Sequence, residues 1–244
     1  MKRNLFICLS LLLSTICMAQ EKWDHKSTEW YKPAPTSVRP GKVAGAPPSD
    51  AIVLFDGTNL SQWLGKEGQE AQWQIVDKEL VVIPGKGDIR TKGFYGDCQL
   101  HIEFKIPKDA RPTGQSSSNS GVFLQSTYEV QILNADNNPT YVNGMLGSIY
   151  KQQAPLVDAH TANGEWQVYD IFWKAPVFGT GGKLVQPAVI TVLLNGVLIQ
   201  NNVTLQGHTP WTGLPEYSAH GRLPLLLQDH GTKISFRNIW IRDL

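Results

Sequence analysis

Cys98-Gln-Leu-His-Ile-Glu-Phe-Lys-Ile106 decides the fold. Leu100, Ile102, Phe104 and Ile106 fall on one side of an extended chain; His101, Glu103 and Lys105 fall on the other. That period of two belongs to a strand with one buried face. On either side lie further short β-type runs: Ala51–Phe55, Gln72–Val76, Leu80–Ile83, Gly121–Ser126 and Tyr128–Leu133. Val168–Lys174, Ala188–Leu194, Leu225–Gln228 and Lys233–Arg242 follow the same habit, with Gly, Pro and Asp between them. Asn195-Gly196 stands between two apolar runs and predicts a tight hairpin, since both turn positions need positive φ. No segment holds a capped helical period. Many strands without a helix imply an all-β jelly-roll β-sandwich of two antiparallel sheets.

Outward from this region the chain changes character. Lys2 and Arg3 precede an apolar run from Leu5 to Ile16, and Cys17-Met-Ala19 offers small residues for cleavage. Residues 1–19 therefore read as a secretory signal peptide, predicting a periplasmic or extracellular protein. The run is well short of the roughly 20 residues that span a bilayer. No transmembrane segment is expected after cleavage. Residues 20–50 form a Pro-rich arm with Pro33, Pro35, Pro40, Pro47 and Pro48, expected to be extended and irregular. Its Trp23, Trp30 and Tyr31 are expected to pack on the surface of the domain. Residues 51–244 are the jelly-roll domain.

Loss of the leader removes Cys8 and Cys17 and leaves Cys98 alone, so neither an internal disulfide nor a zinc–thiolate cluster is available. Cys98 itself reads as buried and inert. The 22 basic and 21 acidic residues of the full chain nearly balance, which excludes the basic excess that nucleic-acid binding needs. The oligomeric state is open.

Polar residues on strands carry the functional signal. In Tyr128-Glu-Val-Gln-Ile132, Glu129 and Gln131 share a face about 7 Å apart, opposite Val130 and Ile132. Gln228 and His230 form a second such pair, His101 and Glu103 a third. A Glu, a His and several amides meeting in one groove suit sugar hydroxyls and proton transfer. The bland alternatives are solvated strand charges and, for Glu103 beside Lys105, a surface ion pair. Trp166, Trp211 and Tyr217 could stack on sugar rings, whereas Trp73, Trp173 and Trp240 read as core.

Taken in order, Leu54-Phe-Asp-Gly57, Asp88-Ile-Arg-Thr-Lys92, Tyr95-Gly-Asp97, Leu100-His-Ile-Glu-Phe104, Asn119-Ser-Gly-Val-Phe123, Tyr128-Glu-Val-Gln-Ile132, Gly164-Glu-Trp166, Leu227-Gln-Asp-His-Gly231 and Phe236-Arg-Asn-Ile-Trp240 resemble the 3-keto-disaccharide hydrolase family over residues 51–244. The resemblance implies a concanavalin-like or laminarinase-like jelly roll and bacterial carbohydrate chemistry on an oligosaccharide or glycoside. A retaining glycosidase needs two carboxylates about 5–5.5 Å apart. Laminarinase-like enzymes carry theirs on one Glu-x-Asp-x-x-Glu strand. Here Glu129 is followed by Gln131, and Asp136 falls beyond the strand, so direct hydrolysis lacks its second carboxylate.

A 3-keto sugar needs something else. The ketone acidifies the hydrogen on carbon 2; a base removes it, donors hold the enolate and an acid helps the carbon 1 aglycone leave. Water can then add back. Glu129 and His230 are the candidate catalytic pair, one as base and the other as acid. Asn119, Gln131, Gln228, Glu103, Trp166 and His220 are candidate substrate-binding residues, and Arg90 or Lys92 could polarise the ketone. A divalent metal could do the same, although no spacing specifies one. The rival readings are a non-catalytic carbohydrate-binding jelly roll and a conventional glucan hydrolase.

Overall fold

A strand with one apolar face is stable only when that face meets another layer. The computed structural model, which describes residues 23–244, supplies that layer. Its strands in chain order are β1 (Ile52–Phe55), β2 (Trp63–Leu64), β3 (Gln74–Val76), β4 (Glu79–Val81) and β5 (Ile89–Thr91). Next come β6 (Cys98–Lys105), β7 (Ser120–Leu124), β8 (Tyr128–Ile132), β9 (Trp166–Lys174) and β10 (Val177–Phe178). The last are β11 (Leu184–Gln186), β12 (Val189–Leu194), β13 (Val197–Thr204), β14 (Leu226–Leu227) and β15 (Ser235–Asp243). Helical structure is confined, among the described residues, to short 3-10 turns.

The larger sheet runs β13-β12-β9-β6-β15-β4-β3, with β1 also paired to β15. The smaller runs β2-β5-β14-β7-β8, and β10 pairs with β11. Every pairing is antiparallel. This is the two-sheet jelly-roll sandwich that the strand pattern predicts. The expected signal peptide lies outside the described residues, and no helix among those described is long and apolar enough to cross a membrane.

The core sits between the sheets. Leu100, Ile102 and Phe104 of β6 and Tyr169, Ile171 and Trp173 of β9 point inward from the larger sheet. Val122 and Leu124 of β7 and Tyr128, Val130 and Ile132 of β8 meet them from the smaller. The Tyr128 and Trp173 rings lie 5.0 Å apart, and the Tyr169 hydroxyl donates to the Gln131 carbonyl at 2.7 Å, so aromatic packing and a hydrogen bond both tie the sheets together. Trp73, Trp173, Trp240 and Cys98 are buried as expected, and burial pushes the Cys98 thiol up to about 12. The β12–β13 hairpin turns at Asn195 (φ 53°) and Gly196 (φ 79°), as the Asn-Gly pair requires.

The chain divides into two units, the second being Val38–Leu244. Residues 38–50 belong to that second unit: the Gly45 carbonyl accepts from Asn238 Nδ2 at 2.9 Å and from Trp240 Nε1 at 2.8 Å. In the first unit Trp23, Trp30 and Tyr31 are exposed.

Candidate active site

The strand period fixes what faces outward from the smaller sheet. With Tyr128, Val130 and Ile132 turned into the core, Glu129 and Gln131 must point away from it. On β7, Val122 and Leu124 turn inward, so Gly121 and Phe123 share the outer face. Register sets Phe123 opposite Glu129 and Gly121 opposite Gln131. Phe123, Glu129 and Gln131, together with Asn119, Gln228 and His230, line a cavity of about 340 Å³. Glu129, Gln131, Asn119, Gln228 and His230 are thus brought together as the sequence reading requires.

An outward-facing strand residue is ordinarily solvated, yet Glu129 is only 5% exposed. Three covering segments explain this. Residues 147–150 run along the free edge of β8, with hydrogen bonds joining Gln131 N to the Ser148 carbonyl at 3.0 Å and Tyr150 N to the Glu129 carbonyl at 3.3 Å. Thr209 pins a second segment: its Oγ1 accepts from Glu129 N at 3.1 Å, and its own N–H donates to the Thr127 carbonyl at 2.9 Å. That segment carries Trp211, 81% exposed at the rim, an indole face free for a sugar ring. The third is the turn after β14. Asp229 Oδ2 accepts from Gly87 N at 2.9 Å and its own N–H donates to Asp88 Oδ1 at 2.8 Å, which holds Gln228 and His230 in place.

Burial alone pushes the Glu129 carboxyl up to about 8, since no cation offsets it. At neutral pH it holds its proton. Tyr150 also lines the cavity; its hydroxyl meets that of Tyr141 at 2.7 Å and is held above the usual phenol range, chiefly by burial. Gln131 Oε1 and Gln228 Oε1 are buried with no partner among the described residues. Such an orphaned acceptor costs about 1–3 kcal/mol unless a ligand hydroxyl donates to it. Gly121 leaves room for the acid: a Cβ there would lie 2.6 Å from Glu129 Oε1 and 2.6 Å from Phe123 Cε2.

The other sequence candidates lie elsewhere. Glu103 is on the outer face of the larger sheet, bound to Arg237 Nε at 2.6 Å and Asn238 Nδ2 at 2.8 Å. Burial opposes its charge, but His101, Asn238 and Arg237 outweigh it and hold the carboxyl near about 2. Trp166 is on that same face, under the Arg237 guanidinium at 4.0 Å. Both are therefore corrected from sugar contacts to parts of an ionic cluster. His220 sits in a separate hollow, 2.8 Å from the Tyr128 hydroxyl. Tyr217 is fixed by its own hydrogen bonds to Ala188 N and the Leu205 carbonyl. Lys92 is exposed and lines no cavity with Glu129. Arg90 is three strands from Glu129, about 14 Å, too far to polarise a ketone held there. Sequence reasoning missed Phe123, Tyr150, Thr209, Gly121 and Asp229. The β7 alternation could have found Gly121 and Phe123; the others reach the site through loops that carry no periodic signal.

Glu129 is the one carboxyl lining the cavity among the described residues. Asp136 is turned away, with Oδ1 3.0 Å from His160 Nε2 and Oδ2 accepting from Asn163 N at 2.9 Å. No group of three or more His, Cys, Asp or Glu side chains is placed to hold a metal ion, again among the described residues.

These features define a class: jelly-roll sandwiches with a sugar-sized polar cavity on the outer face of the smaller sheet. Within it, residues 50–242 match the 3-keto-alpha-glucoside-1,2-lyase-like domain, and the chain belongs to that family. Its structure is similar to that of a candidate glycosyl hydrolase from Parabacteroides distasonis, at 48% identity and a TM-score of 0.86, over 91% of this chain and 97% of that one. A second candidate glycosyl hydrolase of that organism shares the fold at 20% identity and a TM-score of 0.60, over 80% of this chain and 94% of the other. No curated protein matches the chain significantly. Family and neighbour together give a glycosyl hydrolase-like function.

Proposed function

We propose that the protein cleaves the glycosidic bond of 3-keto-glycosides by removing the carbon 2 proton and eliminating the carbon 1 aglycone. The observation that carries this reading is Glu129: a single buried carboxyl, protonated at neutral pH, with no second carboxylate beside it. Conventional retention or inversion needs two carboxyl groups across the sugar. Elimination next to a ketone needs one acid and one base.

His230, at the exposed side of the cavity, is the base. It takes the carbon 2 hydrogen, and the electron pair forms an enolate with the carbon 3 oxygen. The side-chain amides of Gln131 and Gln228 donate to that oxygen. As the enolate collapses to a carbon 1–carbon 2 double bond, the carbon 1–oxygen bond breaks and Glu129 protonates the leaving oxygen. The products are the unsaturated keto sugar and the free aglycone; water adding across the double bond completes a net hydrolysis. Asn119 and Trp211 bind the ring. The reading includes export by the leader, so the reaction belongs to the periplasm or the medium.

The test is to incubate the mature protein with a 3-keto glucoside and its unoxidised parent, with and without a chelator, and to follow aglycone release by mass spectrometry. Release from the keto compound alone is expected. Release from the parent instead overturns the reading in favour of direct hydrolysis, binding without release in favour of a lectin-like module, and chelator loss adds a divalent metal.

A further inference from the structure

A second cavity, of about 410 Å³, opens on the same face of the smaller sheet, lined by Lys66, Glu67, Asp88, Arg90 and Leu226. Register joins it to the first: Arg90 on β5 is opposite Leu226 on β14, Leu226 is opposite Phe123 on β7, and Phe123 is opposite Glu129 on β8. Phe123 lines the first cavity and Leu226 the second. The two hollows thus meet across one cross-strand pair, about 5 Å wide at the backbone. The turn at Asp229 serves both, since it bonds to Gly87 and Asp88 in the wall of the second while its neighbours Gln228 and His230 line the first.

The two cations of the second hollow, Lys66 and Arg90, are not tied up in ion pairs. Lysine and arginine ion pairs involve Lys105, Arg222, Arg237 and Arg242; among the described residues Lys66 and Arg90 take part in none. The lining holds two cations and two carboxyl groups around one apolar side chain, Leu226. Balanced donors and acceptors beside an apolar patch suit a neutral polyhydroxyl ring better than an anion.

We infer that this second cavity binds the leaving group, and that the leaving group is itself an oligosaccharide. The inference rests on the keto-glycoside reading in one respect: a terminal keto ring in the Glu129 cavity leaves further sugars only on its carbon 1 side. Three strand spacings, about 14 Å, separate Glu129 from Arg90, which is more than one pyranose ring can bridge. Phe123 and Leu226 cover the apolar ring face in between, and Arg90, Lys66 and Asp88 hold hydroxyls of the distal sugar.

The experiment compares the mature protein with R90A and K66A on two substrates, a 3-keto glucoside with a methyl aglycone and one with a disaccharide aglycone. Wild type is expected to turn over the longer substrate at a KM at least about tenfold lower. Each variant is expected to lose that advantage, about 1.4 kcal/mol per factor of ten, while matching wild type on the methyl compound. An equal KM for both substrates in wild type, or variants weakened equally on both, overturns the inference. If neither keto compound reacts, the keto reading fails and calorimetry decides separately. There, tighter binding of an unoxidised trisaccharide than of methyl glucoside, lost in R90A, supports the second cavity; equal binding overturns it.

Discussion

Glu129 concentrates the chemistry of the site because its backbone position and its burial have different origins. The strand period turns it away from the core, and loops from distant parts of the chain then cover it. E129Q keeps the shape and removes the acid, so turnover should fall at least about 100-fold, and H230A should do the same to the base; single-turnover kinetics on a 3-keto glucoside check both. Because the acid works while protonated, wild-type kcat should decline as pH rises through about 8. Gly121 carries a separate prediction. In G121A the new Cβ displaces the Glu129 carboxyl or the Phe123 ring. Turnover should drop by about 100-fold through misplacement while the melting temperature shifts only a few degrees. A variant with normal turnover would show that the carboxyl needs no such room. Glu129 and Gln131 were legible as one face in the sequence, but their burial was not, because periodicity reports direction and not what lies above a sheet.

At the scale of elements, hairpins and strands follow local rules closely. Asn195 and Gly196 both adopt left-handed backbone, so G196A should cost about 1 kcal/mol, read as a lower denaturant midpoint at unchanged slope. β6 shows where local rules stop. His101 falls on its polar face, yet it is 3% exposed. Its ring stacks on Trp240 at 5.2 Å, its Nδ1 is 2.7 Å from Asp170 Oδ1 on β9, and its Nε2 is 3.2 Å from Asn238 Nδ2 on β15. Burial opposes charge on the ring, but Asp170 and Glu103 outweigh it and raise His101 to about 9. D170N should therefore bring the imidazole down toward neutrality, visible in an NMR titration of the ring protons. The His101–Glu103 pair looked in the sequence like the Glu129–Gln131 pair. The two differ in what the larger sheet and residues 38–50 place around them.

For the whole molecule these shifts combine into one stability profile. Glu103 is held near about 2, so its contribution is present above the ordinary glutamate value of 4.5 and is lost as pH falls toward 2. His101, raised to about 9, contributes fully below 6.5 and loses that contribution as pH rises through 9. Glu129, raised to about 8, destabilises the fold progressively as pH climbs from 4.5 to 8. The melting temperature should therefore peak near pH 5 and fall on both sides, and E129Q should flatten the alkaline limb; a calorimetric series from pH 3 to 9 checks this. The sequence by itself determined most of the longer strands, the two faces of β6 and β8, the Asn-Gly hairpin, the two-sheet class and the shared face of Glu129 and Gln131. Those are consequences of a period of two and of turn chemistry, which act over a few residues. Only the tertiary structure decided that His230, Gln228 and Asn119 join Glu129, that Glu103 and Trp166 belong to an ionic cluster on the other sheet, and that Arg90 faces a second hollow. Those outcomes depend on strand order and on loops closing over a sheet, which bring together residues far apart in the chain and leave no periodic trace in it.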